Sequence, residues 1–296
     1  MKILNMGSLN IDLTYSVHHI VRPGETIEST GLQKLVGGKG LNQSVSLARV
    51  SDEVYHMGFV GPDGESLKNF LRENNVNVDH ISTSSEKCGN AIIQVDEKGE
   101  NSIILFHGAN FAFTKEKIDE VLDRFKGEAL VLQNEINHMD YIIDKAKEND
   151  LFIFLNPSPI TDSLLESSLE KIDFFILNET EARDITGSHE VANIREKLLE
   201  LFPKSKFVMT KGKEGSVYFD HENIYEQEAH EVEACDTTGA GDTFTGYFIG
   251  KYLEDSDVKK ALEYGTAASA LSVQKFGAAA SIPHLEEVEE FRRKNQ

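Results

Sequence analysis

The sequence predicts an α/β protein: a parallel sheet flanked by helices, with a smaller β-sheet beside it. Three observations predict it. From about residue 114, apolar strand-like runs alternate with helical stretches, the rhythm of a parallel sheet covered on both faces. Residues 13–36 and 88–106 hold short β-prone pieces and an alternating hairpin pattern, enough for a separate sheet. Two glycine-rich turns, at 36–43 and 236–244, each run into a helix-like stretch.

The totals fit one folded body. A chain of 296 residues can bury an ample core, and no linker, repeat or low-complexity segment divides it, so 1–296 reads as one domain. A formal net charge of −20 argues against nucleic acid or an anionic membrane surface as partner. No apolar run approaches the ~20 residues of a membrane span. The first residues turn polar too soon for a signal peptide. The two cysteines, Cys88 and Cys235, are far apart and in no metal spacing; free thiols in the cytoplasm are the simplest expectation. The ten histidines show no zinc spacing, and His18, His19, His107 and His138 read as surface or packing residues.

Taken in order, 3–6 is a short apolar strand stopping at Gly7 and Ser8. Residues 7–12 then alternate, with Asn10 and Asp12 on one side. That pair is either turn chemistry or a carboxylate and an amide suited to sugar hydroxyls. The turn at 36–43 matches neither a Walker A loop nor Gly-x-Gly-x-x-Gly. Its glycines would let backbone approach a small ligand, with Asn42 facing it; a plain strand–helix turn is the alternative. Residues 54–60 read as a strand and 65–74 as a helix. Helix 114–125 precedes strand 129–133, helix 138–149 precedes strand 151–155, and strand 173–177 precedes a helix from 179. A helix at 190–202 precedes strand 207–209. In such sheets ligands sit beyond the carboxyl ends of the strands, where Glu135, Asn156, Asn178, Glu181 and Thr210 fall. The Glu-rich stretch 286–290 reads as the solvated face of a last helix.

The turn before Phe244 carries the chemistry. Gly239, Ala240 and Gly241 open a buried helix, and free backbone amides at a helix mouth bind anions. Asp242 at that mouth would repel a bound anion. It makes sense as a proton acceptor beside amides that hold a phosphoryl group, although an aspartate in a helix first turn is also ordinary.

The string Asp-Thr-Thr-Gly-Ala-Gly-Asp-Thr-Phe (236–244) resembles the C-terminal signature of the ribokinase-like (PfkB) carbohydrate kinases. Seven further strings agree in order: Gly-Ser-Leu-Asn-Ile-Asp (7–12), Pro-Gly-Glu-Thr (23–26), Gly-Gly-Lys-Gly-Leu-Asn-Gln (37–43), His-Gly-Ala-Asn (107–110), Asn-Pro-Ser-Pro (156–159), Asn-Glu-Thr-Glu (178–181) and Thr-Lys-Gly (210–212). The resemblance implies a Rossmann-like body with a small β-sheet lid, formed by about 13–36 and 88–106, that builds a homodimer. It implies ATP-dependent phosphorylation of a sugar, D-ribose at its 5-hydroxyl. Carried over by position, Asn10, Asp12, Gly38, Lys39, Asn42 and Glu135 would contact the sugar. Asn178, Thr210, Gly212, Gly215, Gly241 and Thr266 would lie along ATP. Glu181 would place magnesium through water. Gly239, Ala240 and Gly241 would form the anion hole and Asp242 would be the base. A potassium ion would be held by Asp236, by carbonyls of Thr238, Ser272, Lys275 and Gly277, and by Ser281.

Departures from the family pattern touch the sugar pocket and lid. Leu41 and Ser44 stand where alanine is common, the loop 61–65 is short, and Cys88-Gly89-Asn90 stands where a threonine–glycine pair is common. They leave open a kinase for another small sugar or nucleoside, such as fructose, 2-keto-3-deoxygluconate or an adenosine-like substrate. No added cationic cluster argues for a phosphosugar. A non-catalytic sugar-binding regulator on the same fold is the reading from another class.

Overall fold

Strands whose side chains are apolar on both sides make the centre of the molecule. The computed structural model describes residues 1–188 and 190–295. In chain order β1 (Ile3–Met6), β2 (Asn10–Ser16), β3 (Gly31–Gly37), α1 (Lys39–Ala48), β4 (Val54–Val60), α2 (Glu65–Glu73), β5 (Asn77–Thr83), β6 (Gly89–Val95) and β7 (Asn101–Phe106) come first. Then follow α3 (Lys115–Leu122), β8 (Ala129–Gln133), α4 (Met139–Glu148), β9 (Phe152–Asn156), the one-turn α5 (Asp162–Leu165), β10 (Phe174–Asn178) and α6 (Glu179–Thr186). The last are α7 (Val191–Leu201), β11 (Lys206–Thr210), β12 (Ser216–Phe219), β13 (Ile224–Gln227), α8 (Ala240–Asp255), α9 (Val258–Ser272) and α10 (Leu285–Lys294).

The main sheet has the order β13-β12-β11-β10-β9-β8-β1-β4-β5. It is parallel from β11 to β5. Successive residues of each strand point to opposite faces, and both faces are covered. Ile3, Val131, Phe154, Phe174 and Val208 pack with Leu41 of α1, Phe244 of α8 and Ala267 of α9. Leu4, Leu130, Phe175 and Phe207 pack on the other side with Ile118 of α3, Ile142 of α4 and Leu198 of α7. A second sheet, β3-β2-β6-β7, stands apart. Its centre is a parallel pair, β2 with β6, and its outer pairs are antiparallel.

The parallel centre agrees with the expectation, and three parts differ. The edge strands β12 and β13 turn antiparallel. The helix expected at 114–125 ends at Leu122 and tightens into a 3₁₀ turn over Asp123–Phe125. Residues 77–83, 216–227 and 258–272 form β5, β12, β13 and α9, none assigned from sequence. β5 is an edge strand rich in polar residues. α9 buries mostly small residues, among them Ala261, Thr266, Ala267, Ala268 and Ala270, beside Leu262 and Tyr264, so its apolar period is weak. Among the described residues no helix is long and apolar enough to cross a membrane. Both cysteines are free.

Candidate active site

Strands β8 to β11 of the main sheet end in polar residues, Gln133, Asn156, Asn178 and Thr210, and the two glycine-rich turns close over that side. Asp242 lies in the first turn of α8, buried at 7% exposure. Each of its carboxylate oxygens accepts one amide hydrogen from α1: Asn42 Nδ2 donates to Oδ2 at 2.9 Å and Gln43 Nε2 to Oδ1 at 2.9 Å. Asn42 Oδ1 is buried and, among the described residues, accepts nothing from the protein. A sugar hydroxyl would satisfy it.

At the mouth of α8 the Ala240 N–H is turned back to the Thr237 carbonyl at 3.3 Å. Among the described residues, the amides of Gly239, Gly241 and Asp242 donate to no protein acceptor. Gly239, Gly241 and Asp242 therefore offer free N–H groups at this helix mouth, whereas the Ala240 N–H, also expected there, closes the turn.

Asn10 and Asp12 share one face of β2. Asn10 Oδ1 accepts from Asn110 Nδ2 at 2.7 Å, and Asn110 Oδ1 accepts from Leu9 N–H at 2.9 Å. A Cβ at Gly89 would fall 2.2 Å from that Asn110 nitrogen, so only glycine lets the pair form. Glu135, just past β8, accepts from Ser8 Oγ and from the Lys39 backbone N–H at 3.1 Å. Gly38 links β3 to α1 with φ +95°, a backbone conformation open to glycine at little cost.

The charges interact strongly. Burial, with the Glu135 charge second, raises the Asp12 carboxyl to about 6. Burial also raises Glu135, with the Asp242 charge adding to it, against the Lys39 ammonium, the Ser8 hydroxyl and the Lys39 amide. For Lys39, burial alone would favour the neutral amine. The carboxylates of Asp242, Glu135 and Glu181 outweigh it and raise the group above its ordinary value. Lys39 therefore keeps its ammonium.

Two cavities meet at Thr210 and Gly241. The smaller, about 60 Å³, is walled by Lys39, Asn178, Glu181 and Asp242. The larger, about 510 Å³, is mostly apolar and lies among Gly212, Gly215, Val232, Phe244, Thr266 and Val273. Glu181 is buried in a capping box: its Oε2 accepts from Asn178 N–H at 3.0 Å and its Oε1 from Asn178 Nδ2 at 2.9 Å.

Asp236 ties two segments together. Its Oδ1 accepts from the Thr238 N–H and hydroxyl at 2.9 and 2.6 Å, and its Oδ2 from Gly277 N–H at 2.9 Å. Lys275 is turned away to Glu287 at 2.9 Å. Ser272 O accepts from Lys275 N–H, and the Ser281 hydroxyl donates to Ala278 O. Among the described residues, the carbonyls of Thr238, Lys275 and Gly277 accept no hydrogen bond.

Sequence reasoning missed Ser8, Asn110, Gln43 and Gln133, which hold the expected residues in place. It also missed the wall at Val232 and Val273. Ser8, Asn110 and Gln43 lie inside the quoted strings, which is the one signal that could have found them; Val232 sits in an irregular stretch with none.

The model of the pfkB family carbohydrate kinases matches residues 1–285. A ribokinase of Haemophilus influenzae is 34% identical over 307 residues, covering 97% of this chain and 96% of its own. A solved ribokinase from Cryptococcus neoformans in complex with ADP superposes with a TM-score of 0.86 at 33% identity, over 98% of this chain and 99% of that one. An Arabidopsis thaliana ribokinase complexed with ribose and ATP superposes with a TM-score of 0.85 at 28% identity, over 99% and 98%. Family motifs, fold and full-length relatives agree, and the chain belongs to the pfkB family of carbohydrate kinases.

Proposed function

We propose that this protein is an ATP-dependent ribose kinase that phosphorylates the 5-hydroxyl of D-ribose. The observation that carries the reading is Asp242, held by two amides where a polar pocket, free helix-mouth N–H groups and a nucleotide-sized cavity converge. Asn10, Asp12, Gly38, Lys39, Asn42 and Glu135 bind and orient the sugar. Asn178, Thr210, Gly212, Gly215, Gly241 and Thr266 line the path of ATP. Asp242 takes the hydroxyl proton as its oxygen attacks the γ-phosphorus. The amides of Gly239, Gly241 and Asp242 receive the charge of the transferring group, and Lys39 adds a cation beside them.

Glu181 fits magnesium through water, because both its oxygens are held toward Asn178 with lone pairs to spare. Magnesium supplies charge neutralisation on the phosphates. Asp236, the carbonyls of Thr238, Ser272, Lys275 and Gly277, and Ser281 fit a potassium ion, since Lys275 is turned away and oxygens remain free. Bound there, a potassium ion would fix the backbone beneath the amides. The second sheet acts as a lid over the sugar and as the contact of a homodimer, supported by its exposed apolar side chains.

ADP release from MgATP, measured with ribose, other pentoses, hexoses and nucleosides, tests the reading. The expected result is the highest kcat/KM for ribose. A lead for fructose or a nucleoside overturns the choice of sugar; no sugar-dependent release overturns the kinase.

A further inference from the structure

Behind Asp242 runs a line of neutral amides, three of them fully buried and lining neither cavity, the fourth, Asn156, reaching the wall of the smaller one. Gln43, Gln133 and Asn5 are each 0% exposed. Gln133 Nε2 donates to Gln43 Oε1 at 2.7 Å and to Asn5 Oδ1 at 2.9 Å. Asn5 Nδ2 donates to Gly40 O and to Ser44 Oγ, both at 2.8 Å. With its oxygen so occupied, Gln43 turns its nitrogen to Asp242 Oδ1 and to Asn156 Oδ1, the latter at 3.1 Å. Asn156 Nδ2 in turn donates to Ile176 O at 3.0 Å. Both ends of the line are backbone carbonyls, which only accept. The direction of every amide between them is thereby fixed: flipping any one sets oxygen against oxygen.

We infer that Gln43 and Gln133 are positioning residues that aim the Asp242 carboxylate; this rests on Asp242 being the base. Stability does not account for the line, because apolar side chains of the same length would fill the space without desolvating amides. The last torsion of an aspartate is soft, so its oxygens must be held from outside. Asn42 holds one oxygen but lies at the sugar pocket. Gln43 lines neither cavity and is the dedicated holder, and Gln133 fixes which way Gln43 points.

The test is a steady-state series on the full chain: Gln43→Met, Gln133→Met, Ser44→Ala and Asp242→Asn, each with a melting temperature. We expect kcat to fall about tenfold or more in Gln43→Met and several-fold in Gln133→Met, with both KM values within about threefold. Ser44→Ala should keep kcat within about twofold, since Asn5 retains its bond to Gly40 O. Gln43→Glu places a carboxylate against Asp242 and should move the acid limb of the kcat profile to higher pH, which checks that residue 43 touches the titrating base; the kcat loss at steady KM in the Met variants separates positioning from packing. Kcat within about twofold in both Met variants overturns the inference, as does a loss that Ser44→Ala shares in step with its melting temperature. If Gln133→Met does not fold, the shape-preserving Gln43→Glu decides, and an unmoved acid limb overturns it. Retained activity in Asp242→Asn would instead sink the base itself; an inactive Asp242→Asn beside fully active Met variants would sink only the positioning role.

Discussion

Asp12 sits half-buried on β2, and burial followed by the Glu135 charge raises its carboxyl to about 6. The unfolded carboxyl titrates near 3.9. Between those values the folded chain binds the extra proton, so stability from this group is present at low pH and is lost as pH rises through about 6. At neutral pH the ionised form costs up to about 3 kcal/mol before sugar binds. Asp12→Asn should raise the melting temperature at pH 7.5, and the gain should vanish near pH 4. Sugar hydroxyls donate to the ionised form, so the KM for ribose should rise as pH falls below about 6. An unchanged KM there would mean that Asp12 does not meet the sugar. Asp242→Asn keeps both size and one acceptor oxygen but removes the proton acceptor. A kcat loss of about 10²–10⁴ is expected, with sugar and ATP affinity by calorimetry much less changed. Activity within a few-fold of the parent would leave Asp242 as an ordinary helix-start residue.

The turn 236–241 and the segment around Gly277 form the element beneath the free amides at the mouth of α8. Asp236 links them through Thr238 and Gly277. With saturating MgATP and ribose, potassium should raise the rate several-fold over tetramethylammonium at equal ionic strength, and Asp236→Ala should abolish the difference. Equal rates in both salts would leave Asp236 as a turn residue alone. The elements most legible in the sequence were those with a strong local period: β8 to β11 are apolar on both faces and announce themselves. β5 was not, because an edge strand with Asn77, Asp79 and Ser82 looks like a loop. The candidate site was legible at residues whose type is chemically pointed, such as Asp242 and Asn42, which the fold brings together. It was not at Gln43, Gln133 and Asn110, whose importance lies in partners about a hundred or more positions away.

In the whole molecule, the second sheet leaves Leu32, Ile103, Ile104 and Phe106 in solvent, with Ile104 61% exposed. Ile103 and Ile104 point to opposite faces of β7, so one face can cover the sugar while the other meets a second copy. Light scattering over a dilution series should report a dimer, and Ile104→Glu with Ile103→Glu as its opposite-face counterpart should show which face joins the copies. A monomer at every concentration would remove the dimer. The same sheet is joined to the chemistry through β2, which carries Asn10 and Asp12, and by one very short link: β3 ends at Gly37, α1 begins at Lys39, and only Gly38 lies between. Any swing of the sheet is therefore a torque on the start of α1, where Asn42 and Gln43 grip Asp242. If the sheet moves as a lid, the joint would work as a safety catch: with the sheet open Asp242 would lie out of line, water reaching the nucleotide would find no aligned acceptor, and ATP would survive in the absence of sugar. One extra glycine inserted after Gly38 should slacken the catch and raise sugar-free ATP hydrolysis relative to sugar phosphorylation; an unchanged ratio would mean that the sheet and the base move independently.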